Sequence, residues 1–130
     1  MIVVDASVLA PALGDDDADG DRFRLRLRGE ALAAPELVDL EVASVLRRML
    51  ADGRLHERRA AQALTDLIEL PMQRAPHRSL LARAWELRAN VTIYDAAYVA
   101  LAELLEVTLV TADQRLARAP GIRCPIDVLS

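Results

Sequence analysis

Two short runs constrain the fold of this chain more than any other feature. Ile2-Val3-Val4 and Val107-Thr108-Leu109-Val110 are β-branched, mostly apolar and too short to make helices. Neither offers a wholly polar face, so both sides of each strand need cover. Strands buried on both faces belong to parallel sheets with helices above and below. The intervening sequence supplies those helices. The pattern predicts a short helix over residues 7–13, an acidic loop at 15–21, a helix over 21–28 closed by Gly29, and a short strand at 31–34. Pro35 suits the first turn of a long helix that Gly53 follows. Further helices are expected at 56–70, 78–89 and 95–106, with a short strand at 71–75. A turn at 113–119 then leads to a last strand at 122–129, where Pro125 argues for a sheet edge. The expected fold class is α/β: one domain over residues 1–130, with a mostly parallel sheet of about five strands and helices on both faces.

In such a sheet ligands bind outside the carboxyl ends of the strands, where the strand order reverses. Asp5 directly follows the first strand and Asp113 lies just past the 107–110 strand. If those strands are neighbours, the two carboxylates approach each other.

Composition removes several functions. All sixteen basic residues are arginine. Without lysine there is no P-loop, no Schiff-base amine and no kinase lysine. Aromatic residues make up 3% of the chain, which argues against a stacking platform for single-stranded bases. Cys124 is the only cysteine and His56 and His77 the only histidines, so a zinc cluster and an internal disulfide are not expected. A reducing, cytoplasmic compartment is expected. No run approaches the ~18–20 apolar residues of a membrane span, and a secretory signal is not expected, because Asp5 interrupts the first apolar run.

Four acids stand out: Asp5, Glu41, Asp95 and Asp113. Asp5 has an ordinary role open to it as a cap for the next helix, and Asp113 as the start of a turn. Asp95 would suit a helix N-terminus. Glu41 lies within LVDLEVASVLRRML and caps nothing. At ~100° per residue it forms a narrow polar stripe with Ser44 and Arg48, suited either to a polar crevice or to a Glu41–Arg48 ion pair. Clustered carboxylates repel one another, and a divalent cation relieves the repulsion. All-oxygen ligands suit Mg²⁺, with Mn²⁺ able to substitute.

The segments MIVVDASVL, PELVDLEVASVLRR, TIYDAAYVALAELL and TLVTADQRLARA resemble, in order and spacing, the successive motifs of the PIN-domain ribonucleases, and most closely the VapC-type toxins of bacterial toxin–antitoxin pairs. The resemblance covers essentially the whole chain. It implies that Asp5, Glu41, Asp95 and Asp113 are the family's catalytic, metal-holding acids, with the Ser7 and Thr111 hydroxyls in support. It implies a Mg²⁺-dependent endoribonuclease, a homodimer, and control by a VapB-type antitoxin. The chain departs from some members in having Arg115 and Arg118, rather than an acid, after Asp113. Arg47, Arg48 and Arg115, each near a site acid in sequence, are candidate RNA contacts.

Other readings compete. Receiver- or phosphatase-type phosphoryl-transfer domains also gather acids around Mg²⁺, but their patterns include a lysine. A non-catalytic α/β interaction module would use the acids as caps. The run 15–21 imitates half of an EF-hand calcium loop, yet its twelfth position is Arg26, so a solvated loop is expected. Arg22, Arg24, Arg26 and Arg28 alternate with apolar residues, a pattern open to strand or charged helix. Trp85 suits core or a dimer interface better than base stacking.

Overall fold

A computed structural model describes residues 1–130. Five parallel strands form one sheet in the order β3-β2-β1-β4-β5, where β1 is Ile2–Val4, β2 Leu32–Pro35, β3 Met72–Ala75, β4 Leu109–Thr111 and β5 Ile126–Val128. Seven α-helices accompany them: α1 (Ala6–Gly14), α2 (Ala18–Leu27), α3 (Leu37–Ala51), α4 (Glu57–Glu69), α5 (Leu81–Glu86), α6 (Ile93–Leu105) and α7 (Gln114–Arg118). This is the α/β architecture expected from the two apolar runs. Val3, Val4, Leu109 and Val110 are wholly buried. Each such side chain contributes roughly 1.5–3 kcal/mol over its exposed state, so the middle of the sheet is the stable part of the fold. No helix is long and apolar enough to cross a membrane.

The chain runs outward from β1 through β2 to β3, then returns to the other side of β1 for β4 and β5. The order therefore reverses between β1 and β4. These strands are neighbours, paired at Val3↔Leu109 and Val4↔Val110, and the crevice at their carboxyl ends is the switch point.

Several boundaries differ from those expected. Pro35 ends β2 instead of opening a helix. It pairs with Ala75 of β3, beyond the β1 register that stops at Val3↔Ala33, so its missing N–H breaks no bond toward β1. The acidic run is mostly helix start: Asp17 precedes α2, and Asp19 and Asp21 occupy its first turn. Gly20 is required there, because a Cβ would stand 1.8 Å from the Asp15 carbonyl oxygen. Arg22, Arg24 and Arg26 lie on this helix, which resolves their alternation. The helix expected at 78–89 shrinks to a 3-10 turn (Arg78–Leu80) and α5. The turn at 113–119 contains α7. Pro125 sits just before β5, which is an edge strand. Trp85 is 60% exposed and so is not a core residue.

Candidate active site

Asp5 stands where β1 leaves the sheet, continuing the ladder by donating its N–H to Val110 O at 3.2 Å. Its side chain caps α1, accepting the Ser7 N–H at 3.1 Å. The same Oδ1 accepts the Ser7 hydroxyl at 2.5 Å, and Oδ2 accepts the Thr111 hydroxyl at 2.5 Å. Thr111 is the last residue of β4 and wholly buried. The adjacent loop is tied in as well, because Ala112 N–H donates to Ser7 Oγ at 2.9 Å and Asp113 N–H to Thr111 Oγ1 at 3.1 Å. Two strand ends and a helix start are thus locked around one carboxylate. The cap role and placement at the crevice coexist, since the carboxylate has two oxygens.

Thr92, not Asp95, caps α6: its hydroxyl accepts the Asp95 N–H at 3.1 Å. The Asp95 carboxylate is therefore relieved of capping and lies inside the first turn. Asp113 does cap, accepting the Arg115 N–H at 2.9 Å at the start of α7. Glu41 projects from the middle of α3 and accepts the Tyr98 hydroxyl at 2.6 Å, rather than pairing with Arg48. Sequence reasoning missed Tyr98. Its signal was present, since Tyr98 follows Asp95 by three residues and so shares its helix face.

The four acids line one cleft of about 340 Å³, together with Ser7, Ser44, Arg48 and Tyr98. The Glu41, Ser44 and Arg48 stripe thus borders a polar crevice. Arg115 lines an adjoining cavity instead, and Arg47 is exposed on α3 and lines neither.

Burial dominates the electrostatics of this cleft. It pushes the Asp5 carboxyl up to about 6, against the lowering effect of the Ser7 and Thr111 hydroxyls and with a further push from Asp95. Burial also raises Glu41; the Tyr98 hydrogen bond opposes this and Asp95 adds to it. Asp95 is raised by burial first and then by Asp113. Burial and the neighbouring Glu41 raise the Tyr98 phenol, so it stays a donor. Three half-buried or buried carboxylates that resist ionisation mark a place short of positive charge.

The donor set is all oxygen, with no histidine or cysteine in the cleft, which fits a hard divalent cation. The acids ring the cleft and do not converge: no three acidic, histidine or cysteine side chains are close enough to enclose an ion. Hydroxyl partners hold Asp5 and Glu41 to the walls, and the α7 cap holds Asp113.

A family model described as the PIN domain matches residues 2–122. Ribonuclease VapC9 of Mycobacterium tuberculosis is 46% identical over 129 residues, covering 99% of this chain and 98% of that protein. Ribonuclease VapC1 of the same organism is 43% identical over 128 residues, covering 98% and 96%. Among solved structures, Mycobacterium tuberculosis VapC20, described as a sarcin–ricin loop cleaving toxin, superposes with a TM-score of 0.72 at 18% identity, over 95% of this chain and 97% of that one. The fold match, the family model and the full-length identity agree, and the chain belongs to the PIN-domain family, among its VapC ribonucleases.

Proposed function

We propose that residues 1–130 act as a single nuclease domain: a Mg²⁺-dependent endoribonuclease toxin, held inactive by a VapB-type antitoxin. The observation that carries this reading is that Asp5, Glu41, Asp95 and Asp113 all line one crevice at the β1–β4 switch point. The identity to ribonucleases named VapC supplies the reaction class.

Asp5 and Asp95 would be the primary holders of the cation, with Glu41 and Asp113 completing its surroundings. A bound Mg²⁺ supplies charge to stabilise the phosphodiester transition state and lowers the pKa of an attacking water. The chain's own residues have distinct duties. The Ser7 and Thr111 hydroxyls fix the Asp5 rotamer and favour its ionised form. Tyr98 does the same for Glu41. Thr92 caps α6 so that the Asp95 side chain is left for the crevice. Arg48 and Arg115 border the acids and would hold substrate phosphates; Arg47 would act from farther along α3. Phosphate contacts of this kind orient RNA without reading its sequence.

A homodimer and an antitoxin partner complete the reading, in a reducing cytoplasm that suits the lone Cys124. A structure of VapBC2 from Rickettsia felis shares this fold, with a TM-score of 0.67 at 15% identity over the full length of both chains. An antitoxin arginine inserted among the acids would neutralise them and oppose metal binding.

The test is cleavage of mixed RNA by purified protein, with Mg²⁺ or Mn²⁺ and with chelator. Metal-dependent internal cleavage, lost on Asp5→Asn, supports the reading. Cleavage unaffected by chelator would refute the metal assignment, and absence of cleavage across metals and RNAs would refute the activity.

A further inference from the structure

Beside the acidic cleft lies a second cavity of about 480 Å³, and the two share Asp95 and Asp113 as a common wall. Residues 88–92, which join α5 to α6, line it together with Arg115. Arg88 has no acidic partner, unlike the arginines that brace the rest of the fold. Arg26, Arg59, Arg74 and Arg83 are each tied to an aspartate or glutamate. Arg88 instead donates from Nη1 to the Trp85 carbonyl at 2.9 Å, and its guanidinium lies 4.6 Å from the centre of the exposed Trp85 ring. A guanidinium held by a ring face and a carbonyl is oriented but not neutralised, with donors left for an anion. Arg115, with a side chain 91% exposed, meets Asp113 only at 3.4 Å. Asn90, also in the lining, gives its side-chain amide N–H to Pro120 O at 2.9 Å.

We propose that this cavity is a subsite for the nucleotide next to the scissile one, with Arg88 as its phosphate contact and Trp85 as the residue that positions Arg88. The inference rests on the ribonuclease reading. A polyanion crossing a crevice of four carboxylates needs cations on both sides of it. Arg48 stands on the α3 side. Arg88 and Arg115 stand on the α6–α7 side, across the shared wall of Asp95 and Asp113.

The experiment measures binding of a fluorescent, short, random-sequence single-stranded RNA to the Asp5→Asn protein across a salt series in Mg²⁺. Arg88→Ala added to that protein is expected to weaken binding about tenfold, and to flatten the slope of log K against log salt by roughly 0.7, the share of one phosphate on a single strand. Arg88→Lys should recover the slope, and Trp85→Leu should weaken binding with the slope kept. Arg58→Ala, at an exposed position of α4 that lines neither cavity, should change nothing. Binding by Arg88→Ala equal to its parent overturns the subsite and leaves the nuclease reading intact. Weaker binding with an unchanged slope overturns the phosphate contact. If the Asp5→Asn protein binds no RNA and the wild type cleaves none, the nuclease reading falls and the subsite falls with it.

Discussion

Asp5→Asn should make the metal-free protein more stable, although it removes the residue most bound into the site. Burial raises the Asp5 carboxyl from its ordinary 3.8 to about 6 in the folded state. A raised value means that the folded state holds the proton more tightly than the unfolded one. The ionised carboxylate therefore costs stability above about pH 6, and the cost fades as pH falls toward 3.8. At about 1.4 kcal/mol per pH unit, the full cost is roughly 3 kcal/mol. Asparagine avoids it but presents an NH₂ to Thr111, whose hydroxyl must reverse and lose its charge-assisted bond, at about 1 kcal/mol or somewhat more. The expected net effect is a gain of about 1–2 kcal/mol at pH 8 in chelator, shrinking to nearly nothing by about pH 4.5. Urea unfolding at the two pH values measures both quantities. Saturating Mn²⁺ should reverse the order at pH 8, because binding at a hundredfold excess over Kd stabilises the wild type by about 2.7 kcal/mol. A mutant less stable than wild type at pH 8, by a margin that does not change with pH, would refute the reasoning. The carboxylate would then be a helix cap whose charge is welcome where it sits.

Three other perturbations follow from the same geometry. Tyr98→Phe removes the donor to Glu41 and should cost about 1.5–3 kcal/mol at pH 8; it should also weaken Mn²⁺ binding about tenfold, read by calorimetric titration. Thr111→Val keeps the shape of a wholly buried residue but removes a hydroxyl that favours ionised Asp5. The Asp5 titration, followed by carboxyl carbon NMR, should move to higher pH, and an unmoved titration would sever Thr111 from Asp5. Gly20→Ala forces a Cβ into the Asp15 carbonyl and should destabilise the protein by about 1–3 kcal/mol in thermal unfolding, without altering metal affinity.

The fold class was legible because β-branched runs and helical periodicity are local properties. Ile2–Val4 and the 107–110 run are apolar on both faces, and only a sheet covered on two sides accepts them. The exact starts of elements were less legible, because capping depends on which side chain reaches a free N–H. Thr92 and Asp95 are both good caps in sequence; Thr92 holds the extended backbone of the cap position, and Asp95 falls within the helix. Pro35 reads as a helix opener until β3 is seen to extend the ladder alongside it. Trp85 reads as core or a dimer interface, and its exposed ring, seen carrying Arg88, rules out the core.

The site divides along the same line. Sequence by itself determined which residue types were available: acids at strand ends and on a narrow helical stripe, no lysine, and one cysteine outside the cluster. Those facts follow from identity and spacing, and they excluded phosphate-binding lysine chemistry before any contact was known. Tertiary structure decided which groups meet. Asp5 and Thr111 are separated by more than a hundred residues, and Glu41 and Tyr98 by more than fifty. Their hydrogen bonds exist because β4 inserts beside β1 and because Glu41 of α3 and Tyr98 of α6 line the same cleft. Burial of Asp5, which raises its pKa, likewise comes from neighbours far away in the chain. Proton affinity and partner choice depend on the surrounding medium and on distance, and both are set only when the sheet closes.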